Sequence, residues 1–582
     1  MEKNEQKKAV KIKKGLPLEF KVPVILTVIA VLTSVFYKKS IFTADMSDNY
    51  TISMITNCLF SQENYCLFIS PILCGIVKWM CKIIPSADCF SLYLDITVWL
   101  SVLWTGYIAS LHADTKEKKL FCLTAVALIS IVPANLNFTV VSAFVCACGF
   151  FTLFLGLGPA NKISRYVYIF VGVILIFLGD LIRPESVFLL LPFVLLHFLV
   201  YGITNRKNKK KIYGLILLVF PAILCITAIN AIGFAVNGSE KYSEAVRYSS
   251  ARSDLYDWPQ NEYDEIKDKL DDVSENDFYA VSLVMLGDTE RIDADYLENI
   301  AKVSKKRAFS SFFGNFGEIV SAFTATKCGF KFYLIFILNI SALAVILLSK
   351  CKAIRKLEAI AAFVGIFAAA LIFVYLGRFL ERLYFALVFG CFSVYAAIML
   401  DMARETEEKY AKVALFGRRP ILLLPCLLSV VGICHYIFVD FSLKPANDFT
   451  ARINADESVW QETYQNGNIF IWSTFDYINV PMGYYYLENK LPPEEFMKHH
   501  TFYGGLGSGQ LYMEDHYRKI GLTVPVKDLL YRPNTYSVGS VNYQNMLLEY
   551  IKEHTDPDAS MEKYGNIGYA EVWRFIPGSQ NK

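Results

Sequence analysis

Apolar residues along this chain fall in long runs, with no sustained alternation. A transmembrane helix needs roughly 20 mostly apolar residues, because each rises 1.5 Å through a hydrocarbon core of about 30 Å. Eleven runs approach that length: 22–37, 91–111, 120–136, 139–158, 166–182, 186–203, 212–234, 330–349, 358–376, 383–400 and 420–439. Most are joined by connections too short to fold alone. The pattern predicts an α-helical polytopic membrane protein of about 11 transmembrane helices.

Two further apolar stretches carry isolated charges. Residues 66–84 hold Lys78 and Lys82 in an otherwise hydrophobic segment, which suits a helix lying in the interface with its lysines reaching to water. In 309–327, Phe309, Phe312, Phe313, Phe316, Ile319, Val320 and Phe323 recur at helical spacing with Glu318 as the single acid, which predicts a second interfacial helix.

The polar stretches divide the rest. Residues 235–310 predict a helical loop, with a helix start at Ser274, whose hydroxyl is followed three residues on by Asp277. Residues 440–582 make up a soluble-type unit of ordinary domain size. Strands at 468–474 and 570–576 and helices at 494–500 and 541–554 predict a small α/β domain. The resulting organisation is a basic N-terminus (1–21), a first membrane module (22–234) with a loop at 38–90, the loop region 235–329, a second membrane module (330–439) and the C-terminal domain (440–582).

Composition agrees: 54% of residues are hydrophobic and only 19% charged, with a mean hydropathy of +0.36. Disordered, collagen-like and coiled-coil chains are excluded. The net charge of +3 does not mark a nucleic-acid partner. Its distribution is more telling. Segments 1–21, 112–119, 161–165, 204–211, 350–358 and 401–419 hold 26 Lys+Arg against 10 Asp+Glu, whereas 235–310 and 440–582 hold 22 against 35. The positive-inside rule then puts the N-terminus in the cytoplasm and the C-terminal domain outside. Five lysines precede the first run, and Phe42 stands where a cleavage site needs a small residue, so this run is expected to be a retained anchor.

None of the 14 cysteines lies in 235–310 or 440–582, which fits a bacterial cell membrane whose outer face is built without disulfides. A disulfide among Cys66, Cys74 and Cys81 is left open. Asn49 and Asn237 begin glycosylation sequons, and we expect neither to be used. The run YGGLGSGQ at 503–510 predicts a loop, and His499, His500 and His516 lack metal-ligand spacing and are expected at the surface.

Candidate chemistry gathers at the ends of the apolar runs on one side, where an ionisable group is costly unless paired or functional. Lys38 follows the first run; Asp45 and Asp48 come next, on a predicted loop; Asp180, Arg183 and Glu185 sit at the tight turn joining the runs 166–182 and 186–203; and Arg378, Glu381, Arg382 and Tyr384 sit at the tight turn joining 358–376 and 383–400. Two carboxylates three apart can share a divalent metal, Mg or Mn, or divide the work of general base and cation holder. Arginines bind phosphate oxygens through a planar fork. The combination, at head-group depth, suits a phosphate on a lipid tail. Arg252, Asp254 and Asp257, among aromatic rings in the 235–310 loop, are a candidate acceptor-binding segment. The plainer alternative is that Lys38, Arg378 and Arg382 anchor helix ends and Asp45 caps a helix.

This arrangement resembles the integral-membrane glycosyltransferases of the GT-C superfamily, in a bacterial branch similar to polyprenyl-phosphate-sugar-dependent transferases. The resemblance rests on a first helix followed by the acidic motif Asp45-x-x-Asp48, interfacial helices in the first loop, many further helices, Arg183-Pro-Glu185, the run Glu381-Arg382-Leu-Tyr384 and a soluble C-terminal domain. It covers most of 1–440, and it departs from the superfamily in the two-residue gap between the acids and in Leu383 before Tyr384. It implies inverting transfer of a hexosyl or pentosyl unit from a polyprenyl-phosphate-linked sugar to a glycan, wall polymer, lipid or protein acceptor. Asp45 or Asp48 would be the catalytic base or hold the metal, and Arg183, Arg378 and Arg382 would contact the phosphate, with Glu185, Glu381, Tyr384 and Lys38 around them. The rival readings are a lipid or glycan transporter or flippase, and a non-catalytic receptor or assembly protein. Convergence of the acids and arginines at one place discriminates between them.

Overall fold

The structure is a computed structural model that describes residues 44–61, 66–112, 137–157, 162–325, 330–405, 462–485, 491–504 and 509–578, apart from breaks at 86, 271, 283–286, 307, 350, 379–380 and 483, together with residue 460 and parts of 21–28. The runs 22–37, 120–136 and 420–439, and Lys38, lie wholly or mostly outside the described residues.

The other eight apolar runs are helices: α3 (Cys89–His112), α4 (Phe138–Gly156), α5 (Lys162–Ile182), α6 (Pro184–Thr204), α7 (Lys209–Asn237), α12 (Phe330–Leu348), α13 (Ala353–Leu376) and α14 (Glu381–Glu405). Two shorter helices, α1 (Ala44–Thr56) and α2 (Pro71–Ile83), precede them. Among the described residues, six helices are long and apolar enough to cross a membrane, namely α3, α4, α6 and α13 with the parts Ser164–Ile182 of α5 and Arg382–Leu400 of α14. The count of eleven is not reached within them.

α4 is apolar on every side and buried along its whole length, as a helix at the centre of a bundle must be. It packs on α5 with backbones almost touching. A Cβ on Gly149 would lie 2.8 Å from the Gly172 carbonyl, and one on Gly172 would lie 3.0 Å from that of Gly149, the close approach that small residues permit in membrane helices. At the far half of the bundle, His197 of α6 meets Glu358 of α13 at 2.6 Å, and Arg355 meets Glu358 at 2.8 Å. Glu358 is therefore a buried helix residue, although its sequence position suggests a basic loop. The cost of burying these charges is met by pairing them.

Segment 66–84 contains α2, capped by Ser70 and started by Pro71. Its Leu73, Cys74 and Val77 face inward while Trp79 and Ile83 are exposed. Among the described residues of 309–327, Phe316–Ala325 (α11) are helical. All ten described cysteines are free, Cys66, Cys74 and Cys81 included. The Asn49 sequon is buried, which bars a glycan there.

The polar loop forms α8 (Glu240–Tyr256), a short turn, α9 (Glu275–Ser282) and α10 (Ala294–Ser304). α9 opens with a reciprocal cap: Ser274 N–H donates to Asp277 Oδ2 at 3.0 Å, and Asp277 N–H donates to Ser274 Oγ at 3.0 Å. The C-terminal residues form a five-stranded sheet in the order β2-β1-β3-β5-β4, from β1 (Ile469–Trp472), β2 (His500–Phe502), β3 (Thr535–Val538), β4 (Ser560–Ile567) and β5 (Ala570–Ile576). β1 runs parallel to β2 and β3; β5 is antiparallel to β3 and β4. All residues of the three parallel strands are buried, which is usual for strands covered on both faces. Helices α15 (Glu494–His499), α16 (Leu511–Lys519), α17 (Pro525–Tyr531) and α18 (Val541–His554) complete this part.

The three histidines expected at the surface are buried. His500 accepts from Trp472 Nε1 at 3.0 Å and stacks on Phe496 at 4.3 Å. His516 meets the Phe60 ring edge-on at 5.2 Å. Burial holds both imidazoles below their ordinary range, His516 at about 3. They are core aromatics, which an adjacent-histidine pattern in sequence does not reveal.

Two contacts seat the C-terminal sheet on the rest. Phe60, just after α1, packs against Phe502, Tyr512 and His516. On the other side, buried Asp277 accepts from Arg291 Nη2 at 2.9 Å, and its second oxygen lies 2.7 Å from His554 Nε2 on α18. Burial opposes ionisation of Asp277, but Arg291, the Ser274 N–H and His554 outweigh it and hold the carboxyl below its usual range. Because its folded value is depressed, this contribution is complete above roughly pH 4 and is lost as pH falls further. We predict that Asp277→Ala lowers the stability of the docked arrangement by about 1–3 kcal/mol at neutral pH. The loss is read as faster amide exchange in Val541–His554, and the wild type shows it only in acid.

Candidate active site

Arg183 is placed by its neighbour. It precedes Pro184, which starts α6, and a residue before proline is steered to extended backbone; Arg183 has φ −157° and ψ 103°. This single extended residue turns the chain from α5 into α6. Ser142 Oγ of α4 donates to the carbonyls of Gly179 at 2.7 Å and Arg183 at 3.1 Å, and holds the turn. The Arg183 side chain donates to Thr139 Oγ1 at 3.1 Å, lies 5.0 Å over the Phe138 ring and approaches exposed Glu185 at 3.5 Å.

Asp45 and Asp48, expected on a loop, lie in the first turns of α1. Residues three apart on a helix share a face; the side chain of Asp45 lies outside the described residues. Asn49 fixes the helix, its Oδ1 accepting from Phe138 N–H at 2.9 Å, and Ser53 bonds Asp88 at the start of α3. Asp48 is thereby brought to the start of α14, where Arg382 Nη1 donates to its Oδ2 at 3.3 Å.

Arg378 follows Gly377, which ends α13 in a left-handed conformation at φ +82°. A Cβ on Gly377 would lie 2.3 Å from Pro259 Cγ, so only glycine lets the Trp258-Pro259 segment close on this turn. Arg378 then donates to Asp257 Oδ2 at 2.8 Å and lies 5.3 Å over the Trp258 ring. Lys305 covers the same ring at 4.8 Å and pairs with Asp254 at 2.5 Å.

These groups converge. Burial chiefly holds the Arg183 guanidinium below its ordinary range, with Glu185, Arg382, Asp48 and Arg378 all within electrostatic reach of it. The chain thus gathers Asp48, Arg183, Arg378 and Arg382 at the end of the bundle that carries the C-terminal domain. Tyr384 is buried with its ring 5.7 Å from that of Phe323 on α11. Lys38 and the Glu381 side chain lie outside the described residues. Asp180 is fully buried, and neither of its carboxyl oxygens has a hydrogen-bond partner among the described residues. Sequence reasoning missed Asn49, Thr139, Phe138 and Trp258, which position the arginines and the acid without carrying charge.

Among the described residues no three His, Cys, Asp or Glu side chains stand together to hold a metal ion; Asp48 accepts from Arg382, and the side chain of Asp45 lies outside the described residues. What the site offers is three guanidiniums, each against one carboxylate (Glu185, Asp257 and Asp48), with more N–H donors than those contacts use.

No family model and no curated protein matches this chain. Among solved structures it is similar to ArnT from Cupriavidus metallidurans bound to undecaprenyl phosphate, at 10% identity and a TM-score of 0.41 over 94% of this chain and 97% of that one. It is also similar to the apo state of the same protein, at 11% identity and a TM-score of 0.35 over 96% and 98%. Likeness at that level assigns no family, and the geometry above stands without it.

The Gly377 turn is directly testable. Gly377→Ala should cost about 1–2 kcal/mol from the left-handed backbone alone, with the Pro259 clash added, and lower the thermal midpoint in detergent. Gly202→Ala, with nothing within 4 Å of the added Cβ, should leave the midpoint unchanged or raise it.

Proposed function

We propose that this chain is a membrane glycosyltransferase of the GT-C kind, which moves one sugar from a polyprenyl-phosphate donor to a cell-envelope acceptor on the extracytoplasmic face. The observation that supports this reading best is the contact between Asp48 and Arg382, with Arg183 and Arg378 beside it, at the ends of membrane helices. Three guanidiniums at that depth suit a phosphate whose tail lies in the lipid. A transporter would instead favour charged or broken-helix sites near the membrane centre.

In the reaction, the acceptor hydroxyl attacks the anomeric carbon of the donor sugar. The new glycosidic C–O bond forms as the bond from that carbon to the phosphate oxygen breaks, and a single displacement inverts the configuration. Asp48 takes the hydroxyl proton as general base. The bond's electron pair leaves with the phosphate, and Arg183, Arg378 and Arg382 stabilise the negative charge that builds there. Arg382 also orients the base that it hydrogen-bonds. No step is routed through a metal.

Two variants separate these roles. Asp48→Asn should lower turnover by roughly 10²–10⁴-fold and leave polyprenyl phosphate binding intact. Arg183→Ala should weaken that binding by about 10-fold or more. Direct binding of polyprenyl phosphate and single-turnover transfer, measured on the same preparations, check both. Full activity in Asp48→Asn would exclude the base.

A further inference from the structure

Of the charged side chains between Arg247 and Asp257, three have partners. Arg247 pairs with Glu244, Asp295 and Glu298, Asp254 with Lys305, and Asp257 with Arg378. Arg252 is different. Only 6% exposed on α8, it has no hydrogen bond and no carboxylate partner among the described residues. A guanidinium taken out of water without a counter-charge is costly, and a fold tolerates it where an anion completes the site.

A second buried donor lies across the same seam. Gln510, at 3% exposure, has no hydrogen-bond partner for its Nε2 among the described residues. Its neighbour Gly509, at φ +64°, lies against Tyr248 so closely that a Cβ there would sit 2.4 Å from the ring. Tyr248, Arg252 and Tyr256 are four apart on α8 and share one face. The charge of Arg252 reaches both Tyr256 and Tyr512 of α16, so the seam runs between α8 and the C-terminal domain. It ends at the reacting groups, because Tyr256 is also within electrostatic reach of Asp48.

We propose that Arg252 and Gln510 bind an anionic group, phosphate or carboxylate, on the acceptor saccharide whose hydroxyl Asp48 deprotonates. This rests on the transferase reading and adds the acceptor's class: a charged glycan. Tyr256, 47% exposed at the end of the seam, supplies a flat face for a sugar ring, and the guanidinium fixes the register that brings the reacting hydroxyl to Asp48.

The test measures binding of three synthetic saccharides of equal length, one neutral, one phosphorylated and one bearing a uronate, to the purified full-length protein in detergent. At least one anionic saccharide should bind about 10-fold or more tightly than the neutral one, and the two anionic arms distinguish phosphate from carboxylate. Arg252→Gln should bring the anionic saccharide to the neutral level, Arg252→Lys should keep most of the preference, and polyprenyl phosphate should bind both variants as it binds the wild type. Equal binding of all three saccharides to the wild type overturns the proposal and needs no variant to fold. So does a preference that survives Arg252→Gln. If polyprenyl phosphate fails to bind the wild type, the donor reading falls, and the saccharide comparison still decides the role of Arg252.

Discussion

The hydrogen bond between Asp48 and Arg382 joins residues 334 positions apart, and the site is arranged around it. An ionised group at the edge of the hydrocarbon region must be paired or in use. Arg382 opens α14 at that level, and α1 carries the carboxylate that meets it. To hold α1 there, the chain uses uncharged groups: Asn49 bonds the first turn of α4, Ser53 bonds Asp88, and Phe60 enters the aromatic core of the C-terminal sheet. Moving α1 would therefore disturb the helix bundle and the seating of the sheet together. The same short helix links Arg382 to the C-terminal sheet.

The two halves of the bundle treat charge differently. In the far half, His197, Glu358 and Arg355 form a closed, buried cluster, and nothing about it invites a ligand. Near α1, each arginine meets one carboxylate, Arg183 also donates to Thr139, and Arg183 and Arg378 lie over aromatic rings. Clustered guanidiniums repel one another, so this arrangement carries a standing cost that a bound phosphate would relieve. Gathering several partly exposed ion pairs at one end while closing a fully buried cluster at the other is what distinguishes a binding site from a structural ion pair here.

Much of this was legible in the sequence. Continuous apolar runs gave eight helices to within a few residues, because a helix in lipid must satisfy its own backbone and is apolar over its full length. The cap at Ser274 and the helix at 541–554 followed from local rules. The candidate acids and arginines stood out because so few charges interrupt the runs. What pattern could not give was contact across distance. His500 and His516 are buried by aromatic neighbours from separate strands and helices, and Glu358 by a histidine 161 residues away. Arg252 was one of several charges in a mixed segment until the structure accounted for the others. The acidic pair was read as a loop because its helix is short and only weakly amphipathic.

The central claim is chemical, and one measurement addresses it most directly. Purified wild-type protein is incubated with a panel of polyprenyl-phosphate-linked sugars and an envelope glycan acceptor, and release of free polyprenyl phosphate is followed with time. Acceptor-dependent release from at least one donor, with the sugar recovered on the acceptor in inverted configuration, is the predicted result. If the protein binds polyprenyl phosphate yet releases none from any donor across a broad panel of acceptors, the arginine cluster holds lipid phosphate for some other purpose, and the transferase account is wrong.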